Sequence, residues 1–341
     1  MPRPSSNPPN PWESTNVEWL GPPPEAKLEV YEERAKTVLS RNDSPDVPFT
    51  WSVNPYRGCY HACAYCYARP THQYIGFGAG TDFDRRIVVK TNAPECLRRE
   101  LSRRGWKGEP VTFSGVTDCY QPLEASYELT RRCLEVCLEL ENPVAIITKS
   151  ALVRRDADLI AELHRRAGAG VFVSIPFADD AVGRRIEPAA SSTAQRFATV
   201  RALASRGIPT GIAIAPVIPG LNDSDIPALL ERAAAAGAER AFLILLRLPA
   251  EVLPVFRERL VEAFPERASK VFSALREMRG GRLDASAYGE RMRGHGPRWE
   301  AIRRLFEIHC DRLGLSHGDA AQELGAPEVH ARPRQGTLFE T

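Results

Sequence analysis

Three cysteines, Cys59, Cys63 and Cys66, lie in one short loop with the spacing Cys-x3-Cys-x2-Cys. They offer three thiolates, whereas a [4Fe–4S] cluster needs a ligand for each of its four irons, and thiolate is the usual one. Three protein ligands leave one iron open to a small molecule. The spacing therefore predicts a [4Fe–4S] cluster that holds a further ligand at its open iron.

Other uses of these thiols fit the sequence less well. A structural zinc site wants a fourth Cys or His, and the nearby His61 and His72 keep that alternative open. Inert core cysteines are disfavoured by the aromatic, Arg and Gly residues that crowd the loop. A disulfide framework is disfavoured because eight cysteines in 341 residues are sparse and no signal peptide is visible.

The cysteine loop and five later motifs resemble the radical S-adenosylmethionine (SAM) superfamily, and in particular its spore photoproduct lyase-like branch. The aromatic Tyr65 stands just before the last cysteine. The later motifs cover residues 112–118, 147–150, 173–176, 184–188 and 215–220. The resemblance extends over about residues 45–250, and its later motifs do not identify a substrate.

This resemblance implies a [4Fe–4S] cluster and SAM as cofactors, with an external one-electron donor of the flavodoxin or ferredoxin type. In the superfamily, SAM chelates the open iron and is cleaved by one electron to methionine and a 5′-deoxyadenosyl radical. That radical abstracts a hydrogen atom from the substrate. The protein supplies position, electrostatics and a dry cavity.

The resemblance also assigns SAM contacts to residues at the ends of predicted strands. Tyr65 is expected against the adenine, where an aromatic ring stacks well. Ser114 and Gly115 are expected at the SAM amino group, because glycine lets the backbone approach a ligand closely. Lys149 is expected to pair with the SAM carboxylate.

Four further residues are assigned to the same pocket. Ser174 is placed for a hydrogen bond to the SAM ribose or carboxylate, and Pro216 for a backbone contact with the adenine. Arg184 and Glu187 either complete the polar cage or pair with each other.

Cys119 and Tyr120 are the candidate catalytic residues. Spore photoproduct lyases use a cysteine on this loop to return a hydrogen atom to the product radical. Cys119 lies about three residues after the lyase position, which Gly115 or Val116 occupies here. The hypothesis is that Cys119, or Tyr120 behind it, donates hydrogen or relays a radical; the alternative is a structural thiol.

The elements that must position these residues alternate along the chain as strands and helices, which is typical of a parallel α/β protein. The predicted strands are 50–53, 111–114, 144–148, 171–175, 210–215 and 241–246. The predicted helices are 93–103, 123–140, 156–167, 193–206 and 224–236. The pattern predicts a partial (β/α)6 TIM-like barrel with its chemistry at the carboxyl ends of the strands.

The remaining segments complete the predicted organisation. Residues 1–25 are Pro-rich and predict a disordered arm. The barrel core covers 26–250 and opens with a helix-like patch at 26–39. A helical extension covers 251–318, with helices at 252–264, 266–279 and 297–313 and a glycine-rich basic stretch at 280–297. That stretch is either a plain connection or a cap that touches substrate. Residues 319–341 predict a flexible tail.

Composition limits the function only loosely. The net charge is +2, so the abundance of arginine does not by itself indicate a nucleic-acid binder. The tail residues Gln335, Leu338 and Phe339 resemble the Gln-x-x-Leu-Phe peptides with which bacterial repair proteins dock on the sliding clamp. No run of 18 apolar residues predicts a membrane span, and a cytoplasmic location is expected.

The predicted function is a radical SAM enzyme, with a damaged nucleic-acid base as one candidate substrate. One alternative is radical SAM modification of a protein, peptide or small metabolite. Another is a non-catalytic Fe–S or zinc binding module. The motifs serve SAM and not substrate specificity, so the sequence leaves these open.

Overall fold

The computed structural model describes residues 7–12, 27–47, 49–283 and 291–318. Its strands are β1 (Glu29–Glu33), β2 (Leu39–Arg41), β3 (Trp51–Val53), β4 (Tyr56–Arg57), β5 (Arg86–Lys90), β6 (Val111–Phe113), β7 (Val144–Thr148), β8 (Ala169–Ser174), β9 (Thr210–Val217), β10 (Arg240–Leu245) and β11 (Ser316–His317). Its α-helices are α1 (Thr81–Arg85), α2 (Ala93–Leu101), α3 (Glu124–Tyr127), α4 (Leu129–Glu139), α5 (Ala157–Ala167), α6 (Asp180–Ile186), α7 (Thr193–Ala204), α8 (Ile226–Ala235), α9 (Val252–Ala263), α10 (Pro265–Met278) and α11 (Gly296–Leu313). Short 3-10 helices cover Arg69–Ile75, Ala151–Asp156 and Asp223–Asp225.

The main sheet has eight strands in the order β11-β10-β9-β8-β7-β6-β3-β2. All neighbouring pairs are parallel except β2 and β3, which are antiparallel. The six strands from β3 to β10 in this sheet are the six that the sequence predicts. Their alternation with helices confirms the α/β fold of the partial (β/α)6 type.

The two faces of the sheet carry different side chains, as the two-residue period of a strand requires. Phe172, Ala213 and Phe242 form one small cluster, and the rings of the two phenylalanines are 5.0 Å apart. Their sequence neighbours on the opposite face, including Val171 and Ile212, belong to the large core under the helices. Gly211 is required beside Phe172, because a Cβ there would lie 2.3 Å from the ring.

A second sheet of three strands, in the order β1-β5-β4, contains none of the six predicted strands. The helix expected at 26–39 is therefore wrong, since β1 and β2 occupy that segment. Strand β1 pairs in parallel with β5, from Glu29 opposite Arg86 to Glu33 opposite Lys90. Pairing with a distant strand overrides the helix propensity of the Glu-rich segment.

The predicted helix 123–140 is divided in the structure. Glu128, between α3 and α4, has a φ of 50°, which a continuous helix does not allow. The Glu124 carboxylate accepts hydrogen bonds from the backbone N–H groups of Thr130 and Arg131, at 2.9 and 3.2 Å. These bonds satisfy donors in the first turn of α4 and stabilise the break.

The segments beyond the core follow the predicted order of helices. The predicted extension helices match α9, α10 and α11, and β11 adds a parallel strand beside β10. In the predicted arm, residues 7–12 contact the core, where Asn7 Oδ1 accepts from Gly80 N at 3.0 Å. The rest of that arm and the tail with Gln335 and Phe339 lie outside the described residues. Among the described helices, none is long and apolar enough to cross a membrane.

Candidate functional site

The cysteine loop begins directly after β4, at a backbone turn that only glycine fits well. Gly58 has a φ of +77°, and a Cβ there would lie 2.9 Å from both His72 Cε1 and Phe83 O. Cys59 N then donates to Phe83 O at 2.9 Å. The loop is thus fixed between β4 and the end of α1.

The three thiols of this loop lie within electrostatic reach of one another. Burial raises the pKa of the Cys59 thiol, and the neighbouring Asp118, Cys63 and Cys66 raise it further. Burial likewise raises the pKa of Cys63 to about 12, whereas the Lys149 ammonium lowers it. Three neighbouring thiols beside a cation fit a multi-iron cluster, which needs thiolate ligands on separate irons and bears negative charge.

A zinc site is less well supported. Within the described part of the chain, no three His, Cys, Asp or Glu side chains lie close enough to hold one metal ion. His72 Nε2 is 2.8 Å from Arg86 O, and His61 Nδ1 is 3.4 Å from Asp118 Oδ2. The two histidines that could supply a fourth ligand thus have other neighbours.

A cluster of buried polar side chains lies beside the cysteines. It joins the cysteine loop, the loop after β7 and the loop after α6 to helix α7. Lys149 Nζ, just after β7, donates to Tyr65 Oη at 3.2 Å and lies 3.5 Å from Glu187 Oε1. Tyr65 Oη donates to the same Glu187 oxygen. Arg196, in α7, pairs with the other oxygen of Glu187.

Charge holds this cluster together. Burial raises the pKa of Glu187, but the Arg196 and Lys149 cations outweigh burial and hold that pKa at about 2. Glu187 is therefore ionised at neutral pH. One carboxylate between two cations leaves a net positive charge, which suits a carboxylate ligand in the pocket.

The loop after β6 places Ser114 and Gly115 at the mouth of the site. Ser114 has a φ of 79°, and its Oγ accepts from Cys119 N at 2.8 Å. Gly115 lies against Ser52, whose Cβ and Oγ would each be 2.8 Å from an added Cβ. The Gly115 carbonyl accepts from Tyr67 Oη at 2.8 Å. A strained loop whose glycine allows close contact is consistent with a ligand-binding turn.

Asp118 connects this loop to the cysteine loop. Its Oδ2 accepts from Lys149 N at 2.9 Å and its Oδ1 from Thr148 Oγ1 at 2.7 Å. Burial raises the pKa of Asp118, but His61 and these hydrogen bonds hold it at about 2. The sequence placed Asp118 in a motif without giving it a role. The structure shows that it fixes the backbone that carries Lys149.

Ser174 and Pro216 lie next to each other at the ends of β8 and β9. Ser174 Oγ donates to Ala215 O at 3.2 Å. Asn222 donates to the carbonyls of Pro216 at 3.0 Å and of Pro176 at 2.7 Å, which fixes both strand ends. The structure thus brings these two predicted residues together at the carboxyl edge of the sheet.

Arg184 is not part of the polar cluster. It is exposed on α6 and does not pair with Glu187. The predicted mutual pair is wrong, because Arg196 pairs with Glu187 instead. Glu187 lies in the polar cluster, and a role of Arg184 in the SAM pocket stays a prediction. Arg196 also donates to Ser174 O at 2.9 Å. Its position as the fourth residue of α7 gave no sign of this in the sequence.

Cys119 and Tyr120 are both fully buried. Both side chains belong to the large core that also contains Cys63 and Tyr65. Tyr120 Oη donates to Asp156 Oδ2 at 3.1 Å, so its hydroxyl belongs to an ion-paired network on the side of α5. The hydroxyl of Tyr120 thus has a partner in that network, and a catalytic role for either residue stays a prediction.

Tyr67 is an aromatic side chain that the sequence did not single out. It is 51% exposed although it follows the last cysteine directly. Cys66, Arg247, Lys149 and Arg291 all lie within electrostatic reach of its hydroxyl. Arg291 belongs to the glycine-rich stretch and is paired with Asp46. Arg279, just before that stretch, donates to Arg291 O and to Leu246 O, each at 2.9 Å, and so joins the stretch to the end of β10.

Comparison with known proteins gives the class of this fold and site. The profile of the Radical SAM superfamily matches residues 53–233, more than half of the chain. An uncharacterized protein of Mycobacterium tuberculosis is 36% identical over 315 residues, covering 92% of this chain and 88% of the relative. The chain belongs to the radical SAM superfamily.

Two further similarities are more distant. The radical SAM Nα-GlyT isomerase of Pseudomonas phage M6 is 28% identical over 269 residues, which cover 78% of this chain and 52% of that protein. Spore photoproduct lyase complexed with dinucleoside spore photoproduct superposes with a TM-score of 0.57 at 16% identity, covering 84% of this chain and 81% of the lyase. The structural match confirms the partial barrel fold.

Superfamily membership confirms the predicted cofactors, a [4Fe–4S] cluster and SAM, and the need for an external electron donor. The residues present fit these groups. The three thiols of the cysteine loop would hold the cluster, and the Lys149 ammonium lies within electrostatic reach of Cys63. The assignment of individual SAM contacts stays a prediction.

Proposed function

We propose that this protein is a radical SAM enzyme that abstracts a hydrogen atom from a nucleotide base in DNA. The observation that carries the proposal is the mouth of the site, where half-exposed Tyr67 stands beside Cys66 and within electrostatic reach of Arg247. An aromatic face stacks on any base, and a guanidinium group binds phosphate.

The chain's own residues have distinct tasks in this proposal. Cys59, Cys63 and Cys66 hold the cluster. Lys149 binds the SAM carboxylate, and Ser174 a hydroxyl or carboxylate oxygen. When bound, the reduced cluster and SAM supply a 5′-deoxyadenosyl radical as the hydrogen-abstracting agent.

One structural neighbour supports a nucleoside substrate by its name, the lyase bound to a dinucleoside photoproduct. The electron donor we propose is a small flavodoxin- or ferredoxin-like protein. We propose the cytoplasm as the location, because its reducing conditions suit the eight cysteines, which the structure describes outside any disulfide bond.

The first test measures 5′-deoxyadenosine after anaerobic reconstitution, reduction with dithionite and addition of SAM. Wild type should form it and Cys59→Ala should not. Oligonucleotides that contain thymine photoproducts should accelerate its formation, whereas peptides should not. Acceleration by peptides instead would favour the protein-modifying alternative, and no product from an intact cluster would favour a binding module.

Tyr67 gives a sharper test of the nucleic-acid proposal. Tyr67→Ala should raise the Kd for a single-stranded oligonucleotide about five- to a hundredfold, since base stacking contributes about 1–3 kcal/mol. The matched control is Tyr74→Ala, a 69% exposed aromatic residue that packs on Trp12. Equal affinities in the two variants would contradict stacking at the mouth.

A further inference from the structure

The cysteine loop is held from behind by a fully buried arginine. Arg69 donates to Cys63 O from two nitrogens, at 2.8 and 3.2 Å. Its remaining N–H groups reach Ala79 O at 3.0 Å, Gly80 O at 2.8 Å and Asp84 Oδ1 at 2.8 Å. All the donors of this guanidinium are therefore in use, and its position is fixed.

A second arginine reaches the same loop from the C-terminal part of the chain. Arg259, in α9, donates to Ala62 O at 3.0 Å across 197 residues of sequence. Its other terminal nitrogen donates to Asp84 Oδ2 at 2.8 Å. Helix α9 lies beyond residues 53–233, which match the superfamily. Two consecutive carbonyls of the cysteine loop, those of Ala62 and Cys63, are thus bonded to a pair of arginines on one carboxylate.

This arrangement places charge close to a cluster ligand. Two guanidinium groups share the buried carboxylate of Asp84. The Arg69 guanidinium also donates twice to the carbonyl of Cys63, so its positive charge lies directly beside a cluster ligand. Reduction adds an electron to the cluster, so positive charge nearby favours the reduced form.

We propose that Arg69, Asp84 and Arg259 form a clamp that positions the cysteine loop for the cluster and raises the reduction potential of the cluster. Arg259 is a positioning residue that α9 contributes from outside the matched region. The proposal concerns the cluster and does not depend on the identity of the substrate.

Arg259→Met tests the positioning role. After anaerobic reconstitution, this variant should release iron to a chelator about tenfold faster than wild type, because it loses hydrogen bonds from a charged donor. The matched control is Arg257→Met, which removes an exposed arginine from the same helix. Arg259→Lys keeps the charge without the paired hydrogen bonds, so it should restore the potential but not the iron retention.

The reduction potential, followed by EPR in a redox titration, tests the electrostatic role. Arg259→Met should shift it to more negative values, and Asp84→Asn should shift it to more positive values. General loosening of the fold cannot produce shifts of opposite sign. If Arg259→Met does not fold, Arg259→Lys and Asp84→Asn decide the question. Unchanged iron release and unchanged potentials in the folded variants would overturn the proposal.

Discussion

Lys149 is the residue on which the expected SAM site depends most. Lys149→Met should weaken SAM binding about ten- to a hundredfold, since a hydrogen bond from a charged group contributes about 1.5–3 kcal/mol. Iron content should stay the same, because Lys149 is not a cluster ligand. The control variant is Lys270→Met, on the exposed side of α10. Anaerobic equilibrium dialysis with radiolabelled SAM measures the SAM affinity of both variants. Equal SAM affinity in the two variants would contradict the assignment.

Cys119 is suited to donate a hydrogen atom rather than to act as a thiolate. Burial, followed by the Asp118 charge, raises the pKa of its thiol well above the usual value, so the S–H bond is intact at neutral pH. We expect Cys119→Ala to keep forming 5′-deoxyadenosine while the substrate-derived product changes or forms more slowly. Mass spectrometry of the products compares it with Cys137→Ala, a buried thiol in α4. Identical products from the two variants would leave Cys119 as a structural thiol.

The sequence could predict the site residues that belong to a recognisable motif. It could not predict those that reach the site from helices outside the motifs. The cysteines, Lys149 and Ser174 follow strands and so meet at one edge of the sheet. Arg196 and Arg259 lie on helices whose Arg-rich faces look solvated in the sequence. Their burial depends on which acid the fold brings opposite them, and a single sequence does not record that.

At the scale of elements, the six central strands were predictable because each is a short apolar run that lies between helices. The sequence could not predict the small sheet in the same way. Strand β4 has only two residues, and β1 pairs with β5, whose first residue lies 57 positions further along the chain. Pairing at such distances depends on the fold and not on local propensity.

Strand β5 carries a buried lysine that makes stability depend on pH. Burial and the neighbouring Arg57 lower the pKa of Lys90 from 10.5 to about 8. Between these values the unfolded chain binds more protons than the folded one, so stability from this group rises with pH from 8 to 10.5. Below pH 8 the folded state carries the full cost of the buried ammonium, about 3 kcal/mol.

Lys90→Met should therefore increase the free energy of unfolding at pH 7 by up to about 3 kcal/mol. The advantage over wild type should shrink as the pH approaches 10. Anaerobic urea unfolding at the two pH values measures the difference for each protein. A constant difference, or a less stable variant at pH 7, would show that Lys90 makes compensating contacts.

At the scale of the whole molecule, nearly balanced charge limits how the protein can bind DNA. With a net charge of +2, attraction must come from local cations such as Arg247 at the mouth, because Arg291 is paired with Asp46. One phosphate contact predicts a slope of about −0.7 to −0.9 in a plot of log K against log salt concentration. Fluorescence anisotropy with a short oligonucleotide measures it. A slope near zero would argue for a substrate without phosphate groups.

The contact between Arg259 and Ala62 joins two parts of the chain that are synthesised at different times. A chain leaves the ribosome from its amino end at about 5–20 residues per second, so the 197 residues between these positions take roughly 10–40 s to make. For an interval of that length, the cysteines have left the ribosome and Arg259 of the clamp has not. Iron and sulfide delivered to the nascent chain would meet an incompletely held loop. We therefore expect cluster insertion in the cell to follow the docking of α9 on the cysteine loop.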